Sequence, residues 1–474
     1  MNREKELLKN TAIITIGNIA TKLISFFLLP LYTALLTTKE YGVVELLNTL
    51  VSLCVPIFTL QLDQAIFRYL IDNRGKEDNI KKGISTALKF VIIASILFLA
   101  IFFVFSPLVN NEYKYFLATN VIASIFSSMF LQISRGLGDN KVYAEGSFIT
   151  AAIAVILNVV FIAGFKWGAN GMLSANLIGN IICSIYIFFR KKIYKYIEFK
   201  DFSKDLLKKL LKYALPLIPN AIAWWIFNSS DRIIVSAFLG LDSTGILSAS
   251  YKFSNAYIMV YNIFNMTWTE SAALHINDDD NTEYFNKVIN TVFNLFASIC
   301  VVLIAFMPII FKIMINEKFG ESYNQIPILL LSTLFNVLVG LLSVIYIAKK
   351  DTKAVAETSF VAAFINAVVN LALIKFIGLY AASVSTLVAY AVLGINRYFD
   401  VRRKYMKISL NVKDTILTSI MLTIAFLAYY LKNNIFIALS MVISIIYALF
   451  INKNSFGFIK KLLMTKLKKN KDLA

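Results

Sequence analysis

The sequence predicts an all-α membrane protein of about 14 transmembrane helices, arranged as two six-helix lobes related by a pseudo-two-fold axis, plus two peripheral helices. Three observations lead to this fold class. Of the 474 residues, 58% are hydrophobic and only 16% are charged, which is unlike a soluble domain. Apolar stretches long enough to cross a bilayer fill most of the chain. The seventh to twelfth of these stretches echo the first to sixth, as in transporters built from repeats.

The candidate spans follow one another with short polar connections, and each holds roughly the 20 apolar residues that a crossing helix needs. The first half contains candidate spans at 11–36, 43–66, 84–109, 114–134, 146–166 and 169–190. The second half contains them at 211–239, 246–267, 287–313, 325–348, 356–376 and 379–399. A last pair lies at 411–431 and 433–453. These spans predict an N-terminal lobe at 1–198, a C-terminal lobe at 199–405, and a region at 406–474 with two extra helices and a basic tail.

The net charge of +19 predicts the orientation in the membrane. Basic residues concentrate in alternate connections, among them Arg68, Arg74, Lys81, Arg135, Lys191, Lys208, Lys349, Arg397, Arg402 and Lys453. The positive-inside rule then places both termini in the cytoplasm. Since these residues lie between apolar spans and form no basic domain, we expect no nucleic-acid partner. The first apolar stretch has no small-residue cleavage site, so we expect it to be a retained span.

The linker at 191–212 ends in leucines and lysines that alternate at helical spacing. Leu206, Leu207, Leu210 and Leu211 fall on one side, with Lys208 between them. This pattern is typical of an amphipathic helix, and we expect it to lie on the inner leaflet.

Cysteine and histidine usage argues against a metal site or a catalytic triad. Cys54, Cys183 and Cys300 lie within apolar stretches without CxxC spacing, so they are interpreted as core hydrophobic residues. His275 is the only histidine in the chain. We therefore expect no histidine-based zinc site and no catalytic triad. The chain as a whole is expected to hold no metal or cofactor and not to be an enzyme.

Two sequence matches support an internal duplication. Residues 39–49 align with 242–252, which superposes Gly42 on Gly245, and each glycine opens the second span of its half. A second match lies at the fifth spans, where a glutamate precedes an asparagine by thirteen positions in both halves. These pairs are Glu145 with Asn158 and Glu357 with Asn370. Since each half has six spans, both halves enter the membrane in the same direction, as parallel repeats.

Polar residues form stripes on the first two spans of each half. They comprise Thr11, Thr15, Asn18, Lys22 and Ser25; Glu45, Asn48, Ser52, Thr59 and Asp63; Asn220, Trp224, Asn228 and Asp231; and Ser248, Lys252, Asn255, Met259 and Asn262. Polar groups facing lipid are costly, so these faces should point at protein or at a water-filled cavity. The Ser and Thr positions could simply be buried helix contacts. Lys22 is different, because a lone charge in a span costs at least about 2.5–3.5 kcal/mol and is functional by default.

At these residues the chain resembles a known family. The runs LPLYTALLTTKEYGVVELLNTLVSL and LQLDQAIFRYL, and then YALPLIPNAIAWWIFNSSDRIIV, GILSASYKFSN and Trp268, are similar to bacterial polysaccharide flippases. These are the O-antigen and capsule repeat-unit translocases of the multidrug/oligosaccharidyl-lipid/polysaccharide exporter superfamily. The resemblance covers about residues 8–400 and implies two lobes around a central cavity in the bacterial inner (cytoplasmic) membrane.

The resemblance further implies export of an undecaprenyl-pyrophosphate-linked oligosaccharide from the inner to the outer leaflet by alternating access. Cationic and amide side chains could then neutralise the pyrophosphate and bond the sugar hydroxyls. The candidates for substrate binding are Lys22, Lys252, Arg232, Arg68, Asn18, Asn48 and Asn255. Arg68 could instead be a positive-inside anchor. For ion coupling or ion pairing the candidates are Glu45, Asp63 and Asp231, the last of which could pair with its neighbour Arg232.

Other functions remain open. The sequence barely distinguishes a polysaccharide flippase from a flippase for the peptidoglycan lipid precursor. A drug or cation antiporter of the same superfamily is disfavoured, because the first span carries Lys22 and no acid. A membrane-embedded glycan polymerase would need a large outer loop, whereas every predicted outer loop is short. The expected partners are the lipid-linked oligosaccharide, the bilayer and a polysaccharide polymerase or other assembly proteins, with the chain itself a monomer.

Overall fold

The computed structural model describes residues 26–108, 111–198 and 202–453, and these residues are predominantly helical. The predicted all-α membrane fold is confirmed. The helices are α1 Leu29–Leu35, α2 Thr38–Thr59, α3 Leu62–Asp72, α4 Glu77–Phe105, α5 Lys114–Gly136, α6 Asn140–Asn158, α7 Gly168–Arg190, α8 Lys204–Ala214, α9 Leu217–His275, α10 Asn281–Met314, α11 Ser322–Ala348, α12 Thr352–Ile377, α13 Tyr380–Lys404, α14 Val412–Leu431 and α15 Asn434–Ile451.

Within the described residues, 11 helices are long and apolar enough to cross a membrane. One of them, α9, contains two predicted spans, and α13 occupies the position of the predicted twelfth span although its last turn is basic. Most of the predicted first span lies outside the described residues, and α1 is its described end. The observed helices therefore agree with the predicted series of spans.

The second span is shorter than the predicted range 43–66. Helix α2 begins at a capping box, in which Thr37 Oγ1 accepts from the Glu40 N–H and the Glu40 carboxylate accepts from the Thr37 N–H. It ends at Thr59 because Leu60 and Gln61 both adopt left-handed backbone conformations, with φ of 51° and 56°. A separate helix, α3, follows this break.

The predicted seventh and eighth spans form one helical hairpin within α9. Gly240, with φ of 86°, interrupts the helix between a first arm at 217–239 and a second arm at 241–275. A side chain is strained in this conformation, whereas glycine adopts it without a steric cost. The two arms are therefore joined by a single residue.

The chain divides into two compact units, Met1–Ala249 with Glu317–Phe319, and Ser250–Asn316 with Gly320–Ala474. This division falls inside the second arm of α9, not in the linker before α8. The lobe boundaries at 198 and 405 inferred from the sequence stay a prediction.

In the first unit, a buried apolar cluster joins α3, α4, α5 and α8. On α8, Leu206, Leu210 and Ala214 are buried in this cluster, while Lys208 and Lys209 on the other side are exposed. The expectation that the apolar face of this helix lies on the inner leaflet is therefore wrong. The amphipathic pattern is satisfied by protein, because α3 and α4 supply the apolar surface that the leaflet was expected to supply.

In the second unit, three asparagines on α10 hold the connection that leads to the two peripheral helices. Asn286 accepts from the Ser409 N–H at 2.7 Å and donates to the Lys407 carbonyl at 3.1 Å. Asn290 accepts from the Asn411 N–H and donates to the Ser409 carbonyl, both at 2.8 Å. One turn further, Asn294 donates to Asp414 at 2.8 Å. We call Asn286, Asn290 and Asn294 the amide ladder; it fixes the extended backbone ahead of α14.

Arg397 lies inside the second unit and is 2% exposed. Its guanidinium donates to Ser343 on α11 and to Thr358 and Ser359 on α12. The sequence interpretation counted Arg397 among the basic loop residues, which is wrong. All of these donors are used within the lobe, so the charge ties three helices together.

The connections into the two fifth spans have the same structure. Residues 138–145 read GDNKVYAE and residues 350–357 read KDTKAVAE. Asp139 caps α6 by accepting from the Val142 N–H, and Asp351 caps α12 by accepting from the Ala354 N–H, both at 3.1 Å. Glu145 and Glu357, predicted to open the fifth spans, are each the sixth residue of their helix and so lie in its second turn.

Each capping aspartate also reaches the end of the sixth span of its half. Asp139 forms an ion pair with Lys191 at 3.1 Å, just after α7. Asp351 accepts from the Tyr405 hydroxyl at 2.5 Å, just after α13. The start of the fifth span is therefore fastened to the end of the sixth in both halves.

We expect the stability contributed by these two aspartates to be lost at low pH. Burial acts to raise the pKa of Asp139, but the Val142 N–H and Lys191 outweigh it, and the net pKa is lowered. The Tyr405 hydroxyl, followed by the Ala354 N–H, lowers the pKa of Asp351. Groups with a lowered folded-state pKa stabilise the fold above their unfolded pKa of about 3.9, and this stabilisation disappears as the pH falls through the folded pKa.

The measurement is thermal unfolding of the purified protein and of the double variant Asp139→Asn/Asp351→Asn between pH 7 and pH 3. The variant should have a lower Tm at neutral pH, and the difference should shrink below about pH 4. Glu357→Gln is the control, because Glu357 pairs with Lys353 at 3.7 Å on the exposed surface, where an ion pair contributes little. A Tm difference that stays constant over the whole pH range would contradict the assignment.

Candidate functional site: a polar seam along α2

One face of α2 meets both arms of α9 through polar and glycine contacts. The α2 residues Thr38, Gly42, Glu45, Thr49 and Ser52 are spaced 4, 3, 4 and 3 apart, which places them on one helical face. Their partners on α9 are Asp242, Gly245, Arg232 and Trp225, and Ser248 on the second arm of α9 accepts a hydrogen bond from Arg232. We call these ten residues the seam. All of them lie in the first unit.

At the top of the seam, α2 and the second arm of α9 cross in direct backbone contact. The Thr38 hydroxyl donates to Asp242 at 2.5 Å. A Cβ on Gly42 would overlap the Leu241 carbonyl oxygen and lie 2.9 Å from the Gly245 nitrogen. A Cβ on Gly245 would overlap the Thr38 carbonyl oxygen in the same way.

The two glycine contacts mirror each other. Each glycine meets the carbonyl four residues before the other glycine, as expected for equivalent residues related by a pseudo-two-fold axis. The alignment that superposed Gly42 on Gly245 therefore matches two residues that touch in the fold. Because only glycine allows this approach, the closeness of the helices depends on both positions.

One turn below the glycines lies a buried ion pair. Arg232 Nε, on the first arm of α9, is 3.8 Å from Glu45 Oε2 and 3.2 Å from the Ser248 hydroxyl, to which it donates. The side chains of Arg232 and Glu45 are only 13% and 10% exposed. At 3.8 Å the pair is loose, since charge-assisted hydrogen bonds are usually about 2.7–2.9 Å long.

At the lower end of the seam, the indole of Trp225 bonds to α2. Its Nε1–H lies 3.0 Å from the Thr49 carbonyl and 3.1 Å from the Ser52 hydroxyl. The first arm of α9 is thus held to α2 at two levels, by Arg232 and by Trp225.

The structure places the predicted residues of the first unit as follows. Glu45 and Arg232 meet in the seam, whereas Asp63 lies beyond the break after α2 and bonds to Gln64 and Ser128. Asp231 is buried next to Arg232, and Asn48 is half-buried on α2. Asn18 and Lys22 lie outside the described residues.

Three further candidates are not among the seam residues. Arg68 is exposed on α3 and pairs with Asp72 at 3.2 Å, which fits the anchor interpretation. Lys252, half-buried, and Asn255, exposed, belong to the second unit. The substrate-binding roles of these residues stay predictions.

Sequence reasoning did not find Thr38, Thr49, Trp225 or Asp242. The 4-3-4-3 spacing on α2 was the available signal, but it was obscured by the assumption that the face continued straight through to Asp63. Trp225 gave no signal, because it lies outside the stripe of Asn220, Trp224 and Asn228 that the sequence identified.

Comparisons with known proteins agree with this architecture. A family model described as "Polysaccharide biosynthesis protein" matches residues 7–269. Protein 1 of the Lsg locus of Haemophilus influenzae is 23% identical over 238 residues, 48% of this chain. The aligned segment spans only 57% of that relative.

Two solved structures share the fold. Lipid II flippase MurJ in an inward closed conformation has a TM-score of 0.68 at 19% identity, covering 95% of this chain and all of that one. An inward-facing multidrug resistance MATE family transporter of the MOP superfamily has a TM-score of 0.62 at 14% identity, covering 83% of this chain and 94% of that one. At these identities the likeness is one of fold.

Proposed function

Because the chain belongs to the polysaccharide biosynthesis protein family, we propose that it is a flippase that moves an undecaprenyl-pyrophosphate-linked oligosaccharide from the inner to the outer leaflet. The resemblance noted from the sequence is confirmed at the level of this family. The substrate, the inner-membrane location and the cytoplasmic termini are part of the proposal. The chain acts as a transporter and not as an enzyme.

The observation that carries the proposal is the buried guanidinium of Arg232. A cation in a low-dielectric site attracts an anionic group strongly, and a guanidinium binds phosphate oxygens through two parallel hydrogen bonds. Its present partner, Glu45, is only loosely placed at 3.8 Å. A pyrophosphate, with at least two negative charges, can compete for Arg232 where a neutral substrate cannot.

In this mechanism the seam closes the path on the outer side while the inner side admits substrate. The pyrophosphate draws Arg232 away from Glu45, which loosens the contact between α2 and the first arm of α9. Separation at the glycine crossing then opens the outer side, and the prenyl chain stays in the bilayer throughout. After release, the Glu45–Arg232 pair forms again and closes the path.

The likeness to the MurJ fold favours one alternative, a flippase for the peptidoglycan lipid precursor. Both substrates carry a prenyl pyrophosphate, so the seam does not separate them. The fold shared with a MATE transporter keeps a drug or cation antiporter as a second alternative. The ion pair disfavours it, because the Glu45 carboxylate already has a cationic partner inside the protein.

The test is to delete the gene and identify the lipid-linked sugar that accumulates on the inner leaflet, by extraction and mass spectrometry. We expect an undecaprenyl-pyrophosphate oligosaccharide that disappears when the wild-type gene is restored. Accumulation of the peptidoglycan precursor would support the first alternative. Unchanged lipid-linked sugars, with loss of resistance to a cationic drug, would overturn the proposal.

A further inference from the structure

A stripe of two amides and one indole lies on the first arm of α9, beside the lower part of the seam and extending below it. Asn220, Trp224 and Asn228 are four residues apart, and all three are exposed, Trp224 by 51%. The same helical face continues upward through Asp231 and Val235, which are 3% and 0% exposed. One face of this arm is therefore open in its lower part and closed in its upper part.

The composition of the open part argues that it faces an aqueous path. Two asparagine amides four residues on either side of the indole would be costly against lipid tails. The Asn228 amide donates to the Trp224 carbonyl at 2.7 Å, which uses one of its two N–H groups. The other N–H and the oxygen of this side-chain amide are groups that can bond a ligand hydroxyl.

The two adjacent tryptophans have different surroundings. The Trp225 indole N–H is bonded to α2 in the seam. The Trp224 side chain is half exposed. Trp224 thus presents a large, rigid and exposed aromatic surface between two amides. This combination is suited to binding carbohydrate. Sugar rings stack their C–H faces on an indole while amides bond their hydroxyls.

At its upper end the stripe reaches the guanidinium of Arg232. Arg232 Nη1 donates to the main-chain carbonyl oxygen of Asn228 at 3.5 Å, so the guanidinium borders the upper end of the stripe. From Trp224 to Arg232 is eight residues, about 12 Å along the helix at 1.5 Å per residue. A molecule with an anionic group attached to sugar rings can touch both.

We propose that Asn220, Trp224 and Asn228 form a sugar-binding platform, on which Trp224 stacks against a pyranose ring of the substrate while Arg232 holds its pyrophosphate. This inference rests on the proposed function and adds the part of the site that recognises the glycan. A prenyl chain is the competing occupant of an exposed indole, and the two flanking amides disfavour it.

The experiment measures equilibrium binding to purified protein in nanodiscs with two probes. One is the lipid-linked oligosaccharide fraction extracted from a strain that lacks the protein, and the other is undecaprenyl pyrophosphate without sugar. The variants are Trp224→Ala and Trp224→Phe. Trp167→Ala is the matched control, because Trp167 is 50% exposed but lies outside the stripe, stacked on Phe161. The Tm of each variant confirms that it is folded.

We expect the wild type to bind the sugar-bearing lipid more tightly than the bare one. Trp224→Ala should weaken binding of the sugar-bearing lipid about tenfold, which corresponds to about 1.4 kcal/mol, and leave the bare lipid unchanged. Trp224→Phe should retain most of the preference, since it keeps an aromatic face, and Trp167→Ala should retain all of it.

Three outcomes would overturn the platform. Trp224→Ala could weaken both probes equally, weaken only the bare lipid, or change neither. The second of these would assign the indole to the prenyl chain. If the wild type binds neither probe, the proposed function itself fails, and this result is distinct from a failure of the platform alone.

Discussion

Replacing Gly42 with alanine is expected to reduce export at least fivefold and to expose the outer end of the seam to water-soluble reagents. The new methyl group would overlap the Leu241 carbonyl oxygen, which is backbone and cannot rotate away. Overpacking of this kind typically costs about 1–3 kcal/mol, and the cost falls only on the conformer in which the seam is closed. A shift of that size changes the ratio of closed to open conformers by roughly 5- to 150-fold.

The measurement is labelling of a cysteine placed at Thr38 by a membrane-impermeant maleimide in intact cells, with Cys54, Cys183 and Cys300 replaced. Gly42→Ala should increase the labelling rate, and Gly245→Ala should do the same, because the two contacts mirror each other. Gly394→Ala is the matched control. Its Cβ would lie 3.6 Å from its nearest neighbours, an ordinary contact. Normal export and labelling in both seam variants would show that the glycine crossing does not close the path.

Replacing Arg232 with methionine is expected to cost about 3–5 kcal/mol of stability, because the buried Glu45 carboxylate would lose the cation that faces it. Both side chains are at most 13% exposed, so solvent cannot compensate for the loss. The double variant Glu45→Gln/Arg232→Met should recover most of this stability, since the buried charge of Glu45 is removed together with that of Arg232. It should not recover export, because the guanidinium that binds the anionic substrate is absent.

Thermal unfolding and an export assay on the two variants separate these roles. A single variant as stable as the wild type would mean that the ion pair is not held in a buried site. A double variant that restores both stability and export would make Arg232 a purely structural residue. Glu45→Gln alone should keep the cation and is expected to retain more export than either variant that lacks Arg232.

The sequence was sufficient for the fold class, because each span must satisfy its own backbone hydrogen bonds and therefore appears as a long apolar run. It also identified Gly42 and Gly245 as equivalent, because the duplication is still readable there. The pairing of Glu45 with Arg232 could not be predicted, since the sequence does not show which face of one helix turns toward its neighbour. The break after α2 could not be predicted either, because Leu60 and Gln61 are not residue types that usually adopt a left-handed conformation.

Two errors had a common physical origin. The apolar face of α8 and the charge of Arg397 were both assigned to the membrane boundary, where such residues are often found. In each case the protein supplied the partner instead, as an apolar cluster for Leu210 and as hydroxyls for Arg397. Composition alone cannot tell these environments apart, because lipid and protein interiors are similarly apolar.

The amide ladder on α10 places an unusual constraint on the evolution of the chain. Asn286 and Asn290 bond to the main chain of residues 407–411, so these bonds do not depend on which side chains the segment carries. The length of the segment is not free, since a single insertion would leave the amides facing the wrong backbone groups. We therefore expect homologous sequences to keep the same number of residues between α13 and α14, even where the side chains of this connection differ.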